Sequence, residues 1–167
     1  TVSLIEARKE QLIKSAEHLH PRLKNRGGGL RGLHPRVVSY DEPGEEPVKM
    51  VVVHFYLDCV DAMGANMINT IAEKIAPELE DITGEKVNLR ILSNYASKRI
   101  AQSQCRIPIS ALTTKHSDGV DVANGIVDAY RFAYADPWRA ATHNKGVMNG
   151  VDAVVIATGN DWRAIEA

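Results

Sequence analysis

From Val48 to Ile82 the chain reads "VKMVVVHFYLDCVDAMGANMINTIAEKIAPELEDI", and its hydrophobic period changes once along the way. Up to Leu57 the residues are mostly β-branched, aromatic or aliphatic, which is strand chemistry. Alternation is imperfect there, so a strand buried on both faces is expected. Beyond Asp58, Met67, Ile68, Ile71, Ile75, Leu79 and Ile82 recur at helical spacing. They predict a helix from about Met63 to Ile82 with one apolar stripe. A strand that feeds straight into an amphipathic helix must pack on it, which makes this part of the chain mixed α and β.

The neighbouring segments extend the same pattern. Ser3 and Glu6 have capping-box spacing, and Leu4, Ile5, Leu12, Ile13 and Ala16 predict a helix from about Leu4 to His18, stopped by Pro21. "NRGGGLRG" cannot be the interior of a stable helix or strand, so it is a flexible loop or a backbone that approaches a ligand closely. "HPRVVSY" reads as a strand joined to the next by the turn-like "DEPGEEP". "TGEKVNLRILSN", Thr83 to Asn94, reads as a turn and one more strand. The order helix, strand, strand, helix, strand is α+β, without the repeated βαβ units of a Rossmann domain.

From Tyr95 the chain becomes mainly helical. Ala96 to Cys105 predicts a short helix, and Asp118 to about Ala133 a long one with Val122, Ile126, Val127 and Tyr130 inward. Pro137 suits the first turn of another helix, and the apolar run Val151 to Ile156 reads as buried core. A domain boundary is expected at Ser93–Asn94, leaving a small α+β domain over residues 1–93 and a helical one over 94–167.

A length of 167 residues allows one full-sized domain or two small ones. Hydrophobic and charged fractions of 44% and 25% are ordinary for a soluble globular protein. A net charge of −1 argues against nucleic acid or a charged membrane surface as partner. No apolar run approaches the roughly 20 residues that span a bilayer, and no signal-peptide pattern opens the chain. Cys59 and Cys105 are far apart with no CxxC, which points to a reducing cytoplasm and away from zinc or another metal. The chain starts without methionine and stops within a helical pattern, so it reads as a piece of something longer.

Three stretches hold residues able to do chemistry. "DCVDAMGAN", Asp58 to Asn66, sits at the strand-to-helix junction, where unpaired N–H groups and the helix dipole suit a phosphate. Taken alone, Asp61 reads first as an ordinary cap. "RAATHNKGVMNG" places Lys145 and Asn149 on one helical face. Lys145 is either a solvated lysine or a group that holds a developing oxyanion. In "ATGNDWRAIEA", Asp161 either caps the last helix or sets the charge and orientation of a lysine.

Together these stretches resemble the bacterial and archaeal class of 3-hydroxy-3-methylglutaryl-CoA reductase. "DAMGAN", "THNKG.MNG" and "ATGNDWRA.EA" appear in family order and spacing, with "LRILSN" and "GIVDAYRFA..DP.RAATHNKG" between them. The resemblance implies reduction of the HMG-CoA thioester to mevalonate and CoA with two hydrides from NADH or NADPH, on the way to isoprenoids. It implies a cofactor loop with Asp61, Met63, Gly64, Ala65 and Asn66 along the dinucleotide and Asn94 near the nicotinamide. Lys145 would be the catalytic lysine and Asp161 the aspartate that tunes it. Arg139, Thr142 and Asn149 fall where the family contacts substrate or orders the lysine. The family's small cofactor domain is an antiparallel sheet with helices on one face, set into a helical substrate domain. Its active sites form between subunits of a homodimer or higher oligomer.

Two departures matter. The family also uses a glutamate from an N-terminal segment and a histidine from a C-terminal one, and neither segment is here. His54 and His143 do not fall at the histidine motif, so this chain alone is expected to be inactive. A non-catalytic dinucleotide- or CoA-binding piece, or a dimerisation piece, is the alternative. NADH-preferring members tend to carry an aspartate before the proline of the segment that reads "P.L...GGG" here. Here His20 precedes Pro21, with Arg22, Lys24 and Arg26 following, which suggests that NADPH is tolerated.

Overall fold

Apolar and β-branched residues on either side of Pro43 and Gly44 give two long strands, β1 (Gly29–Tyr40) and β2 (Val48–Asp58). A computed structural model, which describes residues 1–167, pairs them antiparallel, from Gly29 opposite Asp58 to Tyr40 opposite Val48. The register slips once, between Leu30 and Gly32, where a glycine inside a strand permits a bulge. Three helices precede the hairpin: α1 (Val2–Ala7), α2 (Lys9–Glu17) and α3 (Pro21–Asn25). α4 (Ala65–Thr83) follows it. The stripe expected of α4 is what the core uses. Ile71, Ile75 and Leu79 pack with Leu30 and Leu33 of β1, Ile5 of α1, and Leu12 and Ala16 of α2. Burying each large aliphatic side chain contributes about 1.5–3 kcal/mol. Gly84 ends α4 at φ 72, its N–H donating to the Glu80 carbonyl at 2.8 Å, a left-handed cap that glycine adopts without strain. The architecture is α+β on a two-stranded antiparallel sheet.

Three elements depart from the sequence expectation. The single helix over Leu4–His18 is two, broken at Arg8, which lets Ile5 and Leu12 both reach the same core. Thr1, not Ser3, precedes the first turn, and Pro21 both stops the run and opens α3. Thr83–Asn94 contains no strand. Side chains of α4 take the contacts a ladder would need: Val87 N–H donates to Glu80 Oε1 at 2.9 Å and Leu92 N–H to Asn69 Oδ1 at 3.0 Å. Arg90 adds an ion pair to Glu73 at 3.1 Å. Nor is β2 buried on both faces, since Val48, Met50 and Val51 are exposed toward the turn.

The chain divides into two compact units, Thr1–Ser93 and Asn94–Ala167. The second contains a 3-10 turn (Ile109–Leu112), α5 (Gly119–Ala135), α6 (Pro137–Ala157) and α7 (Trp162–Glu166). Each helix opens on an aspartate. Asp118 accepts from Gly119 N at 2.7 Å, Asp136 from Arg139 N at 2.6 Å and Asp161 from Arg163 N at 3.1 Å. Pro137 occupies the first turn of α6. Ala96–Cys105 forms no helix; Ile100 is exposed and finds no surface to pack on, and so short a helix is not stable unaided. Inward burial of Ile126, Val127 and Tyr130 is also overturned, as is that of Val151, Val154 and Ile156, for all are exposed. α5 and α6 pack on each other, yet α6 buries no residue and α5 only Gly119 and Ala133, so most of their apolar side chains are uncovered. No helix is long and apolar enough to cross a membrane.

Candidate functional site

In the first unit the junction between β2 and α4 is held in an unusual backbone conformation. Val60 has φ 55, a left-handed conformation disfavoured for a β-branched residue. Asp58 stabilises it, accepting from Val60 N–H at 3.0 Å and from Arg31 Nη2 at 2.9 Å. Gly28 packs against the same turn: a Cβ there would lie 2.6 Å from the Asp58 carbonyl oxygen and 2.8 Å from Val60 Cγ2. The glycine run is therefore a fitted backbone rather than a loose loop, and what it approaches is the chain's own junction.

Asp61 is exposed and pairs with Arg26 Nη2 at 2.6 Å, tying α3 to the junction. Gly64 precedes α4 at φ 94 and no side chain caps that helix, which leaves first-turn N–H groups free for an anion. Met63 and Asn66 are exposed, Gly64 is buried and Ala65 half-buried. A cleft of about 380 Å³ lies beside them, lined in part by His20, Arg22, Arg26, Cys59, Ala62 and Met67. His20 Nε2 is buried without a hydrogen-bond partner. Of the cations near the cleft, Lys24 is bound to Glu17 at 2.5 Å, which holds that carboxyl below its ordinary range, and Arg26 is bound to Asp61. Arg22 is exposed and makes no ion pair. An uncapped helix start, an unpaired arginine and an orphaned imidazole nitrogen fit an anionic nucleotide.

In the second unit Thr142, Lys145, Asn149 and Asp152 fall on one face of α6 by their helical spacing. Lys145 is exposed and its Nζ donates to Asn149 Oδ1 at 2.9 Å. The Thr142 hydroxyl donates back to the Trp138 carbonyl at 3.2 Å, and Arg139 is half-buried. Asp161 caps α7 and also accepts from Arg163 Nε at 3.3 Å; this arginine keeps its carboxyl below the usual range. It makes no ion pair with Lys145, so of the expected site residues the structure joins Lys145 to Asn149 and leaves Asp161 at its cap. Asn94 is exposed and accepts through its carbonyl from Ala96 N–H at 2.8 Å. Asp152, seven residues after Lys145, shares its face of α6 and was not singled out in the sequence, where that spacing was the one signal.

Comparison with known proteins decides the family. The family model described as hydroxymethylglutaryl-coenzyme A reductase matches residues 1–167. The chain belongs to the HMG-CoA reductase family. An HMG-CoA reductase of Archaeoglobus fulgidus is 47% identical over 159 residues, which is 95% of this chain and 34% of that protein. A probable HMG-CoA reductase of Borreliella burgdorferi is 35% identical over 90% of this chain and 33% of its own length. Among solved structures, an HMG-CoA reductase of Streptococcus pneumoniae superposes with a TM-score of 0.83 at 42% identity, covering 99% of this chain and 38% of that one. Another from the same organism is described as class II and bound to NADPH in open conformations, with a TM-score of 0.82 and 42% identity. The chain thus spans about a third of the length of the curated HMG-CoA reductases it matches.

Proposed function

We propose that this chain supplies the cofactor-binding unit, residues 1–93, and part of the substrate-binding unit, residues 94–167, of an NAD(P)H-dependent HMG-CoA reductase. The overall reaction converts HMG-CoA, two NAD(P)H and two protons into mevalonate, CoA and two NAD(P)⁺. The nicotinamide, when bound, supplies both hydrides, and no metal is needed. The observation that carries this reading is the polar face of α6, where Lys145 is already oriented by Asn149.

On this reading the Lys145 ammonium donates to the thioester oxygen and holds the negative charge that develops there. Asn149 orients the ammonium, and Arg139 and Thr142 lie on the same helix for the substrate. Asp161 supplies negative charge to the lysine's network once the site is complete. Asp61, Met63, Gly64, Ala65, Asn66 and Asn94 lie along the dinucleotide, with its phosphates toward the uncapped start of α4. The exposed apolar faces of α5 and α6 support burial in a homodimer or higher oligomer of the complete enzyme. This chain alone is inactive on the same account, and a cytoplasmic location fits its two free cysteines.

NADPH is accepted. Arg22 has no carboxylate partner and lines the cleft with His20, and a class II relative is described as bound to NADPH. Titrating NADH and NADPH into the chain tests this. Arg22→Ala weakens NADPH about tenfold, or ~1.4 kcal/mol, and leaves NADH unchanged. NADPH binding at least tenfold weaker than NADH overturns it.

A further inference from the structure

α6 is largely apolar around its polar face, with Val147, Met148, Val151, Val154 and Val155 on its other sides. A carboxylate oxygen taken out of water is costly unless something partners it. Asp152 is half-buried, and its Oδ1 is buried with no hydrogen-bond partner. Lys145, Asn149 and Asp152 stand at i, i+4 and i+7, so this orphaned oxygen belongs to the face that holds the lysine. α7 packs back on α6 and brings Glu166 against Asp152. Lys145 uses one of its three donors on Asn149, and two are left.

We propose that Asp152 and Glu166 are positioning residues, a carboxyl pair at the end of the Lys145–Asn149 face that holds the lysine's ammonium for the substrate oxygen. The inference rests on the reading of Lys145 given above. Two carboxylates in contact do not ionise independently. Partial desolvation where α7 meets α6, then the charge and hydrogen bonding of Asp152, hold the exposed Glu166 carboxyl above its ordinary range, while the Lys145 charge pulls the other way. Lys145 reaches along α6 to Asn149, which is one turn short of Asp152 on the same face, and this brings its charge toward the pair. Other charges on these helices are engaged or turned away. Arg163 is bound to Asp161, and Arg131 of α5 to Asp128. Asp136 caps α6 and Asp121 lies exposed in the first turn of α5, while Arg139 and His143 occupy other faces of α6 by their spacing. When the pair takes up a proton it loses half of its negative charge, and its hold on the ammonium weakens.

The test uses a polypeptide of the length of the curated relatives that carries this chain. HMG-CoA-dependent oxidation of NADPH is followed across pH for wild type, Glu166→Gln, Asp152→Asn and Lys145→Met. In wild type, kcat falls toward acid along a limb that lies above the ordinary glutamate range. Glu166→Gln loses that limb, and its kcat at neutral pH drops about tenfold with the KM for NADPH unmoved. Asp152→Asn gives a similar kcat loss. Wild-type pH profiles and kcat in Glu166→Gln overturn the proposal while a silent Lys145→Met upholds the lysine reading. A fully active Lys145→Met overturns that reading, and the positioning role with it. Glu166 is exposed, so its variant carries the test even if Asp152→Asn fails to fold.

Discussion

Val60 and Gly28 show how much single residues decide at the cofactor side. A valine at φ 55 stands because Asp58 binds its N–H and because Gly28 leaves room for its side chain. Gly28→Ala drives a Cβ into the Asp58 carbonyl and should cost about 1–3 kcal/mol, as overpacking does, read as a lowered urea midpoint. Gly125 is the contrast: it lies inside α5 with nothing within 4 Å of an added Cβ. Gly125→Ala should stabilise by about 0.5–1 kcal/mol through the unfolded chain. Asp161 adds a pH prediction. Its carboxyl is held low by Arg163, so its contribution is present above the ordinary aspartate range and is lost as pH falls through the lowered value. Acid fraying of α7, followed by amide exchange, should therefore be weaker in pH dependence for Asp161→Asn. Lys145 and Asp161 stood out in the sequence as candidates because polar residues interrupt an apolar stretch. The Arg26–Asp61 pair was not, since nothing local links residues 35 apart.

At the scale of elements, periodicity served where one face is buried and failed where contacts come from elsewhere. The α4 stripe was legible because Ile71, Ile75 and Leu79 all face the one core. Ile71→Ala should cost about 2–5 kcal/mol, measured by urea unfolding. The segment after Gly84 alternates as a strand does, through Val87, Leu89 and Ile91, yet the Asn69 and Glu80 side chains bind its N–H groups in place of a neighbouring strand. That competition depends on packing and leaves no periodic trace. Asp161 caps α7 as its sequence position allowed, whereas Asp61, read first as a cap, pairs with Arg26 and leaves α4 uncapped. Asp136→Ala should cost the second unit about 0.5–2 kcal/mol, seen as loss of helical signal at a lower temperature.

Over the whole molecule the two units differ in how much of themselves they cover. The first has a closed apolar core of strand and helix residues. In the second, Tyr134, Trp138 and Val154 are among many large apolar side chains in solvent. Family membership was legible in "DAMGAN", "THNKG.MNG" and "ATGNDWRA.EA" because the three motifs stand in family order and at family spacing. Exposure of α5 and α6 was not, since an apolar helix reads the same whether or not its partner belongs to the same stretch of chain.

On the proposed function, reduction of the thioester depends on Lys145. The direct measurement is HMG-CoA-dependent NADPH oxidation by a polypeptide of the relatives' length carrying this chain, wild type against Lys145→Met, with folding checked by circular dichroism. Turnover is expected in wild type, with a loss of about 100- to 1,000-fold in the variant, the scale of removing an oxyanion donor. Equal turnover by both folded proteins would contradict it.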